Sequence, residues 1–285
     1  MPSDEIQPVK TIRPAGIAVG LILLLALGGL SFSGAARFSD AEVLWRDTIR
    51  RNPSAWMAHG NLASLLAARG RSAEALAHYR AVTELSPSLA DGFFNLGVEY
   101  LAQGRPEEAA ASFRKAIERN GRLSEAHQAL GFALVQMERH TEALLSFLTV
   151  TALHPERPEG HYGAGLAQAA LGRHEKAADE FHMAIKLMDA ETPALDRAEV
   201  LLQKGISLEK LGRQVEALDS FRDASLAAPG YNRPFHRMGV ALARLGRLHE
   251  AARALEKALE LSPDSAPAQR DLEIVRNSLA APGQN

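Results

Sequence analysis

The chain contains no cysteine, which removes disulfides, zinc–thiolate sites, iron–sulfur clusters and a cysteine nucleophile at one stroke. It holds no surplus of charge either: 32 Lys and Arg against 34 Asp and Glu leave a net charge of -2. A nucleic-acid partner is therefore not expected, because that needs a clearly basic face or stripe. No glycine-rich phosphate loop, GxSxG elbow or dinucleotide fingerprint occurs. The ten histidines include no HxxxH pair, the spacing that sets two imidazoles on one helical face beside a glutamate base. Acidic pairs such as Glu107-Glu108 and Asp179-Glu180 fall at helix starts or on solvated faces. No catalytic residue, cofactor or metal site is expected, and the chain reads as a binding protein, not an enzyme.

Charge is missing altogether between Ala15 and Phe32, bracketed by Lys10 and Arg13 before and Arg37 after. At about 1.5 Å per residue such a run is close to the roughly 30 Å hydrocarbon thickness of a bilayer. Residues 15–36 are therefore read as a membrane-spanning signal anchor, with 1–14 as a short tail before it. The alternative is a cleaved secretory signal, for which Gly34-Ala35-Ala36 offers a cutting site. Lys10 and Arg13 favour a cytoplasmic N-terminus, although Arg37, Arg46, Arg50 and Arg51 weaken that bias. The expected arrangement is a single-pass membrane protein with everything after residue 36 outside the cytoplasm.

What fills the remainder is repetition. Prolines 53, 87, 155, 229 and 263 are separated by 34, 68, 74 and 34 residues. Gly-Arg pairs beginning at Gly70, Gly104, Gly172, Gly212 and Gly246 return the same period and the same six-residue surplus. Both series put an insertion at 192–197, where Thr192-Pro193 interrupts the helical pattern. Slots can be counted from Trp56, Ala90, Ser124, Pro158, Ala198 and Asn232. Slot 8 is then small (Ala63, Gly97, Gly131, Gly165, Gly205, Gly239) and slot 20 is always alanine. Slot 24 is Tyr79, Phe113, Phe147, Phe181, Phe221 and Leu255, and slot 27 is Val or Ala. Small residues let two helices approach, the ring docks between units, and glycine near slot 15 and proline near slot 32 end the helices.

A 34-residue unit with this pattern resembles the tetratricopeptide repeat family. The resemblance implies an all-α, right-handed superhelical solenoid of helix-turn-helix repeats, here with one N-terminal transmembrane helix. The expected domains are a half-repeat at 37–55, repeats at 56–89, 90–123, 124–157, 158–191, 198–231 and 232–265, and a capping helix and tail at 266–285. Repeat three departs with Glu138 in place of glycine, and repeat four with Ala164 and Gln168 where bulky apolar residues belong. The junction between repeats four and five is therefore expected to be weak.

In this family the first helix of each unit lines the concave face, which places slots 5 and 9 in a partner-binding groove. Here those slots supply Phe94, Val98, Phe132, Tyr162, Leu166, Leu202, Ile206, His236 and Val240. The Lys and Asn of the family's carboxylate clamp are absent from them. The implied partner is a protein or peptide with apolar anchors, and Phe132→Glu combined with Leu202→Glu is expected to abolish its capture without unfolding the array. The stretch from Leu44 to His59, followed by Gly60-Asn61-Leu62, is similar to the junction between membrane region and repeats in O-mannosyltransferase-like proteins. That similarity implies, as the alternative to an adaptor, a non-catalytic accessory subunit of a membrane glycosyltransferase or envelope-assembly complex.

Overall fold

A computed structural model describes residues 38–280, and the expected tail and membrane span at 1–36 lie outside the described residues. These residues form fourteen helices and no strand. They fall into two compact units divided between Arg119 and Asn120. The first unit holds α1 (Phe38–Arg51), α2 (Trp56–Ala68), α3 (Ser72–Leu85), α4 (Ala90–Ala102) and α5 (Pro106–Arg119). The second holds α6 (Ser124–Gln136), α7 (His140–Leu153), α8 (Pro158–Ala170), α9 (His174–Leu187) and α10 (Ala194–Lys210). It continues with α11 (Gln214–Ala227), α12 (Asn232–Arg244), α13 (Leu248–Leu261) and α14 (Ala266–Ala280). Among the described residues no helix is long and apolar enough to cross a membrane.

Each hairpin turn is closed by the backbone. In repeat one the Arg71 amide donates to the Leu66 carbonyl at 2.9 Å across Gly70, whose φ is 73°. This six-to-one bond satisfies a helix-end carbonyl, and it requires a left-handed residue in between. Repeat three makes the same bond, Arg139 to Leu134 at 2.8 Å, with Glu138 held at φ 57°. A side chain in that region costs about 1–2 kcal/mol, so Glu138→Gly is expected to raise stability by about 1 kcal/mol. The extra chain entropy of glycine offsets part of the gain. A shift of the denaturation midpoint to higher urea would be the sign of it.

Packing explains the small slots. A Cβ added to Gly97 would sit 2.5 Å from the Phe113 ring, and one on Gly131 or Gly165 would sit 2.6 Å from Phe147 or Phe181. The second-helix ring thus lies flat on the backbone of its own first helix, and the slot-20 alanine beneath it is wholly buried in every repeat. Burial of one such ring contributes roughly 1.5–3 kcal/mol. Repeat four carries this further, since Gly163 faces Phe147 and Gly160 faces the Thr151 backbone. Ala164, fully buried, is small because α8 comes that close to α7. Gln168 shares its burial, and its Oε1 has no hydrogen-bond partner among the described residues.

The insertion is largely helix. Pro193 caps α10, which has 17 residues where α8 and α12 have 13. The Asp189 carboxylate accepts from the Thr192 amide at 2.8 Å and its hydroxyl at 3.0 Å, and Arg197 donates to the Asp189 carbonyl at 2.7 Å. Residues 194–197, expected to be a break, add a turn to the first helix of repeat five. Val200 is sealed against Ala177, Phe181 and Ala184, so one apolar cluster carries across the junction that was expected to be weak. The division of the chain comes instead after Arg119.

The two ends differ. At the C-terminal end, α14 buries Leu272 and Val275 and turns Arg270, Glu273 and Arg276 outward, as a closing helix must. At the other end, Glu42 of α1 accepts from Arg46 at 2.9 Å and Arg71 at 2.8 Å, and also from Arg69. Hydrogen bonds from Arg46 and Arg71 hold the Glu42 carboxyl below the ordinary carboxylate range.

Candidate functional site

The nine slot-5 and slot-9 residues do not share one environment. In the first unit, Phe94 and Val98 are partly exposed on α4, the Phe94 ring lying 5.9 Å from Phe113. In the second unit, Phe132 meets Phe147 edge-on at 5.1 Å and Tyr162 lies 6.1 Å from Phe181. Leu166 and Ile206 cover the rims of the two clusters, and Val240 is partly exposed. His236 is engaged by Asp271 of α14, Nε2 to Oδ2 at 2.7 Å. Leu202 departs from the expectation: it is 0% exposed, in the cluster with Phe221 and Leu255. Leu202 therefore offers a partner nothing, and the Phe132→Glu, Leu202→Glu pair would test folding instead of binding.

Around Tyr162 the second unit holds a polar knot. Glu199 accepts from the Tyr231 hydroxyl, from Gln203 at 2.7 Å and from Arg233 at 3.2 Å. Arg233 also donates to the Tyr231 oxygen at 2.7 Å. Burial, then the Glu199 charge, pushes the Tyr231 hydroxyl far above its ordinary range, and the same two causes act on Tyr162. Both phenols stay neutral at any physiological pH and serve as hydrogen-bonding groups, with Glu199 already neutralised by Arg233. The 34-residue separation of Glu199 and Arg233 puts them in the same slot of neighbouring repeats, where they bond directly.

In the first unit His59 and His78 approach Nδ1 to Nδ1 at 2.9 Å, while His59 Nε2 lies 3.2 Å from the Pro53 carbonyl. The carbonyl can only accept, so His59 donates through Nε2, and the close Nδ1–Nδ1 approach needs one ring to donate and the other to accept there. Burial lowers the His78 pKa, and the neighbouring His59 and Arg46 lower it further against a raising effect of Glu74. As pH falls through the ordinary value of about 6.5 the unfolded chain gains this proton before the folded one does. The pair's stabilisation is thus complete above that value and lost below it. Tryptophan emission, which reports the first unit because Trp45 and Trp56 both lie there, is expected to show a falling thermal midpoint from about pH 7.5 to about 5.5. His78→Gln is expected to flatten the profile. Among the described residues no group of three or more His, Cys, Asp or Glu is placed to hold a metal ion.

A cavity of about 300 Å³ opens where α11, α12 and α13 meet, lined by apolar Phe235, Met238 and Leu242 and by charged Arg222, Arg253, Lys257 and Glu250. Its cations come from two helices in different repeats, so no local motif announces it.

Sequence models described as tetratricopeptide repeat match residues 27–90 and 129–194, 90–122, and 233–265, together more than half of the chain. The chain belongs to the tetratricopeptide repeat family. Among solved TPR structures it is similar to a chain of the APC/C hetero-tetramer Cut9-Hcn1, with TM-score 0.66 and 15% identity over 83% of this chain and 45% of that one. It therefore spans less than half the length of that relative. It is also similar to YrrB, described as a TPR protein with an unusual peptide-binding site, with TM-score 0.54 and 23% identity over 68% of this chain and 97% of that one. PilF of Pseudomonas aeruginosa gives 0.62 and 22% over 76% and 96%. At these identities the likeness is one of fold. No curated protein sequence matches the chain. TPR proteins act as protein-interaction scaffolds, and the fold is in general not catalytic.

Proposed function

We propose that this chain is a membrane-tethered, non-catalytic scaffold that binds an extended or helical peptide segment through apolar side chains on the first helices of its repeats. The observation that carries this reading is a contrast of exposure within single hairpins. In repeats three and four the second-helix rings Phe147 and Phe181 are wholly buried, yet Phe132, Tyr162 and Leu166 opposite them keep part of their surface in solvent. Apolar surface that survives folding at matching slots is what a partner with apolar anchors would cover. The uncharged run at 15–36 supplies the tether and sets the TPR units outside the cytoplasm, which raises the effective concentration of partners near the bilayer.

With Leu202 assigned to the core, the test moves to two rim positions. Leu166→Gln with Ile206→Gln is expected to weaken partner capture at least tenfold, about 1.4 kcal/mol, with the far-UV circular dichroism unchanged. Partners are defined by crosslinking in intact cells followed by mass spectrometry. Recovery of the same partners by the double variant at wild-type yield would remove these slots from the binding surface. A second reading, an accessory subunit of a membrane glycosyltransferase or envelope-assembly complex, is favoured by the Leu44–His59 junction. Copurification of a multi-span transferase would select it.

A further inference from the structure

In each of the six full repeats the second helix buries slots 20, 24 and 27 to 7% exposure or less. Helix α1 carries the same slots as Ala41, Trp45 and Thr48, and there all three are partly exposed. Leu44, one residue before the ring, is 55% exposed, and the neighbouring Val43 is 69% exposed. Spacings of three, four and seven put Ala41, Leu44, Trp45 and Thr48 on one helical stripe. Other repeats cover that stripe with a first helix of their own. Among the described residues α1 has none.

We propose that this stripe is seated in the headgroup region of a lipid bilayer. The proposal rests on the reading of residues 15–36 as a membrane span. That uncharged run ends at Phe32, six residues before α1 begins at Phe38. Six residues reach about 20 Å when fully extended, so α1 is held within about one bilayer leaflet of the inserted segment's end. Its composition suits that place. Trp45 and Leu44 form the apolar part, and Arg50 and Arg51 in its last turn, each paired with Asp47 but largely exposed, supply cations. Tryptophan is at home at headgroup depth, and arginines there meet lipid phosphates. A second copy of the chain is one competing occupant that the test below separates. Residues 22–34 are the other competitor, since the family match begins at residue 27, but an inserted segment has no free face to fold back.

The chain carries its own probe. Its two tryptophans are Trp45 and Trp56, and Trp56→Phe leaves the stripe's ring as the sole emitter. The full chain is reconstituted into phosphatidylcholine–phosphatidylglycerol vesicles with or without brominated acyl chains, and membrane attachment is read separately by flotation. Trp45 emission is expected to drop by about half or more in brominated vesicles, as for a ring at the interface. Leu44→Glu is expected to restore most of it while the protein still floats. A floating chain with unquenched Trp45 overturns the proposal and leaves the tether standing, whether residues 22–34 or a second copy then cover the stripe. A chain that does not float overturns both. Should Trp56→Phe alter the helical spectrum, the emission difference between the unaltered chain and Trp45→Phe gives the same readout.

Discussion

Gly163→Ala is expected to destabilise the second unit by about 2–3 kcal/mol, although exchanging glycine for alanine inside a helix ordinarily gains about 1 kcal/mol. The reason is the seat of Phe147. The new methyl on α8 would lie inside the contact radius of that ring, with the nearest three atoms all belonging to it. The ring has little room to retreat, because Gly131 of α6 lies against its tip and Phe132 meets it edge-on at 5.1 Å. A valine or leucine there would cost more. Hydrogen exchange of amides between residues 124 and 187 checks the prediction, and protection should fall across α6 to α9 together if Phe147 is the shared wedge. Slowed exchange would mean that helix propensity outweighs the clash and that the α7–α8 approach is looser than described.

Leu202→Glu is expected to cost at least about 4 kcal/mol and to unfold repeats five and six under conditions where Leu166→Gln leaves them intact. Both residues are leucines on first helices, Leu202 at slot 5 and Leu166 at slot 9. Leu202 has no exposed surface and touches the cluster built on Phe221 and Leu255, so a carboxylate there is stranded without water or a partner. Leu166 is only partly buried at the rim of the Phe181 cluster, and an amide can turn to solvent. Thermal unfolding followed by circular dichroism separates the two. Native-like melting of Leu202→Glu would return that residue to the binding surface.

These contrasts show where local pattern stops being informative. The 34-residue period, the small residues at slots 8 and 20 and the ring at slot 24 were readable as hairpins because each slot meets the same partners in every repeat. Glu138 was readable as an anomaly because a left-handed turn residue has a purely local requirement. Slot 5 was harder, since its exposure depends on the length and approach of the neighbouring helix. Leu202 is sealed among Phe221 and Leu255 while Phe94 and Tyr162 at the same slot keep part of their surface, and nothing within the helix's own sequence signals the difference. The Glu199–Arg233 bond and the Arg222–Arg253–Lys257 lining were likewise invisible, because each joins side chains from different repeats.

From its residues alone, then, this chain was bound to be a series of stacked helical hairpins without thiol or phosphate-loop chemistry, since periodic small and aromatic side chains can be buried in no other way. Tertiary structure decided which apolar residues at equivalent slots are sealed and which face solvent, where the array divides, and that α1 keeps an uncovered stripe. The physical reason is that burial belongs to pairs of surfaces: a repeat specifies its own face, and only the arrival of the neighbouring helix determines whether that face is closed.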